Sequence, residues 1–319
     1  MGNVILKPTR LAPRKAHSSP RAPEREPVRA TRRASSEPPQ RRRKKKGNIL
    51  RGAIVTIGAM LLTVAVIKAN DSFNPPSREL VGGVGASAKE ARCPQDMVYV
   101  SDSGGGFCVD RYESSASKLC PVKDPRNQFD TNTNMSQPLC TPMSVSDATP
   151  WTNVPLAQAM ELCARVGKHL TKNSEWYRAA LGTPDSESDS GCVLGRIGAS
   201  HAEKTGTHST CVSSSGAYDM VGNVWEWVDA NVVMGEYGGR TLPDEGYVSE
   251  ADVDGVAVRT SASSSQIFHG DYLSIDKGGV EGMFRGGFWN MSEKAGVSAI
   301  NAASPTTFIG DAVGFRCAR

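Results

Sequence analysis

The 319-residue chain has no cysteine before Cys93 and none between Cys211 and Cys317. No two cysteines stand in a C-x-x-C spacing, so a zinc knuckle is excluded. Histidine is scarce, with five residues (His17, His169, His201, His208 and His269) and no H-E-x-x-H pair. His201 and His208 alone lie near each other, and their polar surroundings read as a solvated loop. A G-x-S-x-G elbow and a phosphate loop are also missing. GGVGAS (Gly82 to Ser87) is rich in glycine but follows no strand. These absences remove the common zinc, serine-nucleophile and nucleotide chemistries.

Acidic residues are few at the start of the chain. Residues 1–46 carry fifteen Lys/Arg and three acids (Glu24, Glu26, Glu37), a net of +12. Residues 69–319 carry twenty basic and thirty acidic residues, a net of −10. Such a body is a poor nucleic-acid binder, because phosphate binding needs clustered Lys/Arg. After Leu11 the first segment holds almost no aromatic or large aliphatic residue. It cannot bury enough apolar surface to offset its ordering entropy, so 1–46 is expected to be a disordered basic tail. It ends in RRRKKK (Arg41 to Lys46).

Residues 49–67 then read ILRGAIVTIGAMLLTVAVI, with Arg51 the one charge. That length is at the short end of what crosses a bilayer as a helix. The basic flank places the tail in the cytoplasm by the positive-inside rule. A cleaved signal peptide is the rival reading. A basic region of 46 residues is far too long for one, and Ile67-Lys68-Ala69 is a poor cleavage site. The expectation is therefore a transmembrane signal anchor over 47–69, a Pro/Gly/Ser-rich stalk over 70–92, and an extracytoplasmic domain over 93–319. All eight cysteines fall in that domain, which suggests disulfides and an oxidising compartment.

Within the domain, MVYV (Met97 to Val100) and FCVDRY (Phe107 to Tyr112) read as strands around a glycine-rich turn. PLAQAMELCARVGK carries Leu156, Ala159, Met160 and Cys163 at helical spacing, with Asn153 as cap and Gly167 as stop. A second helix starts near Thr171 or Asn173 and carries Trp176, Tyr177, Ala179 and Ala180. Residues 182–290 are mostly turn formers and short strands. The class is α+β: two helices on an irregular, loop-rich β framework. In GNVWEW, alternation puts Trp225 and Trp227 on one face as a core anchor and Glu226 on the other. Arg285 and Arg316 are expected to pair with buried acids.

Four segments in order, MVYV…FCVDRYE, AMELCARVGKHLTKNSEWYRAA, YDMVGNVWEW and FRGGFW…VGFRCAR, resemble the formylglycine-generating enzyme (sulfatase-modifying factor) family. The resemblance implies a C-type-lectin-like fold over Cys93 to Arg319. It implies a structural Ca²⁺ held by side-chain oxygens of Asp219 and Glu226 and by the carbonyls of Gly222 and Val224, a hard-oxygen set suited to that ion. The family's other calcium site expects an asparagine where this chain reads GCVLGRIG, so that site is not expected. Eight cysteines allow 105 pairings. The resemblance implies Cys163–Cys317, Cys192–Cys211, Cys93–Cys108 and Cys120–Cys140.

Oxidising members of that family hold copper(I) on two cysteines between RGG and the last strand, and soft thiolates are natural copper(I) ligands. Here that stretch reads NMSEKAGVSAI (Asn290 to Ile300). Copper is therefore not expected, and the chain is read as non-enzymatic. Its C-terminus also resembles the variable region of diversity-generating retroelement target proteins, non-enzymatic binders on a C-type-lectin-like scaffold. Arg285, Gly286, Gly287, Trp289, Ala295, Gly296, Val297, Ala299, Pro305, Gly314, Phe315 and Arg316 match the constant frame. That resemblance implies ligand contact through Phe288, Asn290, Met291, Ser292, Glu293, Ser298, Ile300, Asn301, Thr307, Phe308, Ile309 and Asp311. The expected partner is an extracytoplasmic protein or glycan, with no nucleic acid bound by the domain.

Overall fold

A computed structural model describes residues 93–102, 105–185, 191–195 and 201–319. The expected tail (1–46), transmembrane segment (47–69) and stalk (70–92) lie outside the described residues. Among the described residues no helix is long and apolar enough to cross a membrane.

Along the chain the elements are β1 (Met97–Val100), β2 (Phe107–Asp110), β3 (Ser114–Ala116), α1 (Gln128–Met135), β4 (Pro142–Ser144), α2 (Leu156–Arg165), β5 (His169–Leu170) and α3 (Asn173–Ala180). They continue with β6 (Trp225–Val233), β7 (Glu236–Tyr237), β8 (Arg240–Thr241), β9 (Gly246–Ala251), β10 (Ala257–Ser261) and β11 (Tyr272–Ile275). The last are β12 (Val280–Arg285), β13 (Ile300–Pro305), β14 (Val313–Phe315) and β15 (Cys317–Ala318).

The class is α+β, as expected, but with three helices among the described residues. The helix the sequence reading lacks is α1, whose segment QFDTNTNM has no apolar stripe. A cap starts it instead: the Asn127 side chain accepts from the Asp130 amide. Of its two large apolar residues, Phe129 points outward and only the terminal Met135 packs on the core. In α2 the buried stripe is Leu156, Ala159, Leu162 and Cys163, while Met160 is 40% exposed. The cap is Pro155, not Asn153. Asn153 instead takes a left-handed φ of 59° and donates its amide to Gly310 O. Gly167 stops α2 as expected, at φ 69°.

The framework is more regular than the turn-rich sequence suggests. Nine strands form one sheet in the order β10-β9-β11-β13-β12-β6-β7-β8, with β14 paired to β6. β6 runs antiparallel to β12 and parallel to β14, so Glu226 lies level with both Arg285 and Gly314. A second sheet, β1-β2-β15-β5, joins the start of the domain to its end. Cys108 and Arg319 exchange backbone hydrogen bonds across that seam.

Two apolar clusters fill the interior. One gathers Trp176, Val228, Met283 and Leu273 beneath the large sheet. The other gathers Trp151, Leu162, Trp225, Trp227, Phe284 and Phe315 between α2 and β6. Trp227 meets Phe284 edge-on at 4.0 Å and donates its indole N–H to Val154 O. The disulfides are Cys93–Cys108, Cys120–Cys140, Cys163–Cys317 and Cys192–Cys211, leaving no free thiol. Cys163–Cys317 ties α2 to the last strand.

Candidate functional site

Apart from Pro305, which is exposed, the expected frame of the C-terminal segment is buried, and most of the expected contact side chains are exposed. Arg285, Trp289, Ala295, Val297, Ala299, Phe315 and Arg316 are buried. Gly286 and Gly287 both sit at φ 92°, a region that excludes most side chains. A Cβ on Gly296 would run into Asp271 Oδ1. Asp271 is itself fully buried, and its Oδ2 accepts from the Ser298 amide at 2.6 Å. Arg285 reaches across the same segment to Val297 O, donates to Gly255 O, and stacks over Trp176 at 5.1 Å. Contrary to the sequence expectation, Arg285 bonds carbonyls and rings and makes no ion pair with an acid among the described residues.

Of the expected contact residues, Asn290, Ser292, Glu293, Thr307, Phe308, Ile309 and Asp311 are exposed. Phe288, Met291 and Asn301 are half-buried, and Phe288 and Met291 pack on the apolar clusters below. Two expectations are corrected. Ser298 and Ile300 are 4% and 1% exposed, so neither is displayed. Ile300 lies on β13 between β11 and β12, where both sheet faces are covered, and Ser298 is drawn inward by Asp271.

Asp311 stands on the rim of a cleft of about 850 Å³ that no sequence motif announces. Its walls come from Asp124 and Arg126 before α1, Thr149, Thr152 and Asn153 before α2, and His201 and Lys204. These segments are far apart in sequence, and the Asn153–Gly310 and Leu156–Thr306 backbone hydrogen bonds bring the loop before α2 to the C-terminal one. Glu203 and Lys204 are already engaged with His208 and Asp147.

Behind the surface lies a buried charge centre. Arg316 Nε and Nη2 donate to both oxygens of Glu226 at 2.6 to 2.9 Å. Trp176 adds its indole N–H to Glu226 Oε2 at 2.7 Å. Glu226 lies on the face that alternation with the two tryptophans gives it, and that face is also interior, because the Trp176 and Arg316 side chains occupy it. Glu113, fully buried, accepts from Asn223 Nδ2 at 2.6 Å and the Val224 amide at 3.2 Å. Asp219 Oδ2 accepts from the Gly206 amide at 2.6 Å.

This arrangement does not fit the expected calcium site. Both Glu226 oxygens are taken by Arg316, whose positive charge repels a cation at that carboxylate. Asp219 Oδ2 turns to the Gly206 amide. Among the described residues no cluster of three acid, histidine or cysteine side chains could hold a metal.

Three carboxyls around one guanidinium leave an excess of buried negative charge. Burial raises Glu113 well above its ordinary range, reinforced by Asp219 and Glu226. Asp219 is raised from 3.8 to about 6, chiefly by burial, against the pull of the Gly206 amide and Arg316. Both groups then hold protons in the fold that the unfolded chain has released. Stability from this pair is full below the unfolded values and falls as pH rises through about 6. Glu113→Gln, which mimics the protonated acid, should flatten that decline. Urea midpoints measured across the window for both proteins check it, and equal slopes would refute the assignment.

The family description "Sulfatase-modifying factor enzyme 1-like domain" matches residues 106–319. No curated protein matches the chain. Among solved structures, the chain is similar to the Major Tropism Determinant I1 variant at 16% identity, with 71% of this chain and 53% of that one covered and a TM-score of 0.38. It thus spans about half the length of that protein. It is also similar to Treponema denticola variable protein 1 (15% identity, 71% and 99% covered, TM-score 0.36). PvdO from Pseudomonas aeruginosa is comparable (16% identity, 70% and 90% covered, TM-score 0.37). On the match over 106–319, two-thirds of its length, the chain belongs to the sulfatase-modifying factor enzyme 1-like family.

Proposed function

We propose that this protein is a non-catalytic, ligand-binding member of its family that presents the C-terminal surface to a protein or glycan partner. The observation that carries the reading is the separation of buried frame from exposed side chains between Arg285 and Arg316. Asn290, Ser292, Glu293, Thr307, Phe308, Ile309 and Asp311 project from backbone held by Arg285, Asp271 and the two glycines. Side chains there can change without disturbing what holds the fold. The mixture suits recognition: Phe308 and Ile309 offer apolar anchors, and Asn, Ser and Thr offer adaptable hydrogen bonds. The cleft beside Asp311 adds a concave floor of a size usual for ligand sites.

Engagement of all eight cysteines in disulfides supports the non-catalytic reading, since none is left as a thiol near the display surface. The same disulfides support an extracytoplasmic domain. With the basic, then apolar, N-terminal sequence, the reading is a single-pass membrane protein with a cytoplasmic tail.

Sequencing the last segment of the gene in many cells of the source population tests diversified display. Substitutions should cluster at the exposed positions and spare the frame; an invariant segment would end the diversification reading. A separate arm addresses catalysis. The protein incubated with copper(I) and a cysteine-containing sulfatase peptide should leave the peptide mass unchanged, and an aldehyde product would replace binding by oxidation as the function.

A further inference from the structure

Next to the display segment, two tyrosines make a right-angled corner. Tyr247 on β9 and Tyr272 on β11 are direct cross-strand partners. Their ring centroids are 5.1 Å apart and their planes meet at 87°. The ammonium of Lys294 lies in this corner, 4.0 Å from the Tyr272 centroid and 5.8 Å from that of Tyr247. Lys294 belongs to neither the expected frame nor the expected contact set, and it is exposed.

The corner is electron-rich for a stated reason. Tyr247 donates its hydroxyl proton to Glu293 Oε1 at 3.2 Å. Glu245 stands near enough to Tyr272 for its negative charge to act on that phenol. A phenol that donates to a carboxylate carries more negative charge on its ring, which strengthens the attraction of a cation for the ring face. Asp244 close by is already paired with Lys277 at 2.7 Å, so the two glutamates supply the unbalanced charge. Lys294 itself makes no ion pair among the described residues; the ring faces are what hold it. Alongside the corner opens a hollow of about 390 Å³, lined by Glu245, Tyr247, Thr260, Ser261 and Tyr272.

We propose that the Tyr247–Tyr272 corner is a cation-binding subsite for a lysine or arginine side chain of a protein partner, and that Lys294 is its resident, displaceable occupant. The geometry explains each part. Two perpendicular ring walls fit one cation. The Glu293 carboxylate at the Tyr247 hydroxyl lies where a second hydrogen-bonding group of the incoming side chain can reach. The adjoining hollow leaves room for that side chain's stem once Lys294 swings out. Exposed cation–ring contacts are weak, so a partner's charge can replace the intramolecular one at little loss. The choice of a protein partner rests on the binding reading above, but the subsite does not, because a small cation probes it directly.

The test uses the full-length protein and tetramethylammonium, a cation without hydrogen-bond donors. Its methyl protons shift upfield over aromatic faces, so binding can be followed by proton NMR. Lys294→Ala should bind it roughly two- to five-fold more tightly than the unaltered protein. Adding Tyr272→Leu to Lys294→Ala should abolish the shift. Tyr272→Phe in the same background should weaken it without loss, which guards against a folding artefact. Equal binding with and without Lys294 would overturn the proposal, as would equal binding of 2,2-dimethylpropan-1-ol, a neutral probe of similar shape. Failure in this titration would leave the gene-sequencing result untouched, so the two readings can fail separately.

Discussion

Replacing Arg316 with methionine is expected to destabilise the domain by about 3–5 kcal/mol, the usual loss when one partner of a buried ion pair is removed. The side chain is 0% exposed, as is the core around it. Besides Glu226 it serves Asp110 O at 3.0 Å and Tyr218 O at 2.8 Å, so it joins β2, the segment before the double tryptophan, and β6. Without it Glu226 would face Glu113 and Asp219 with no counter-charge, and two carbonyls would lose their donor. Arg316→Lys should recover only part of the loss, because an ammonium cannot bridge both carboxylate oxygens and two carbonyls as the planar fork does. Arg316→Met with Glu226→Gln should be less unstable than Arg316→Met alone, since no charge is then stranded at that position. Urea unfolding followed by tryptophan fluorescence measures all three. A loss below about 1 kcal/mol for Arg316→Met would show that the pair is not what holds this centre together.

Removing the Cys163–Cys317 bridge by paired alanine substitutions should cost a further large amount, about 5 kcal/mol in the chain-entropy account. The two cysteines are 154 residues apart, against 15, 20 and 19 for the other three bridges. A longer closed loop restricts the unfolded chain more, so this bridge should stabilise most. Both cysteines are fully buried in the apolar cluster that also holds Leu170, so lost packing adds to the effect. The short Cys93–Cys108 bridge should contribute about 3 kcal/mol by the same account. Comparing the paired-alanine variants under non-reducing conditions tests the order. If the Cys93–Cys108 variant proves the less stable, loop length is not what governs these bridges.

The sequence by itself determined the elements whose signals are local. The β1–β2 hairpin has two apolar runs around glycines, α2 has an apolar stripe with a glycine stop, and α3 begins near Asn173. The separation of constant frame from displayed residues was legible mainly through family resemblance, with the glycines of RGG carrying a direct backbone reason. The four disulfide pairs came by the same route, because no local rule selects among 105 pairings.

Tertiary structure alone decided the rest. Helix α1 escapes a pattern reading because it has no apolar stripe and begins on a side-chain cap, a single hydrogen bond that periodicity does not register. Ser298 and Ile300 turn inward because residues 295–300 are buried at six successive positions, where alternation no longer separates inside from outside. The cleft beside Asp311 and the Tyr247–Tyr272 corner join segments that meet only through sheet pairing and loop docking. Alternation placed Glu226 opposite the tryptophans and the family resemblance assigned it to calcium; the residue that follows a parallel strand ninety positions later, Arg316, meets it instead. Local chemistry acts over a few residues along the chain. A buried charge is settled by whichever partner the fold delivers, and in this protein that partner comes from the last strands of the chain.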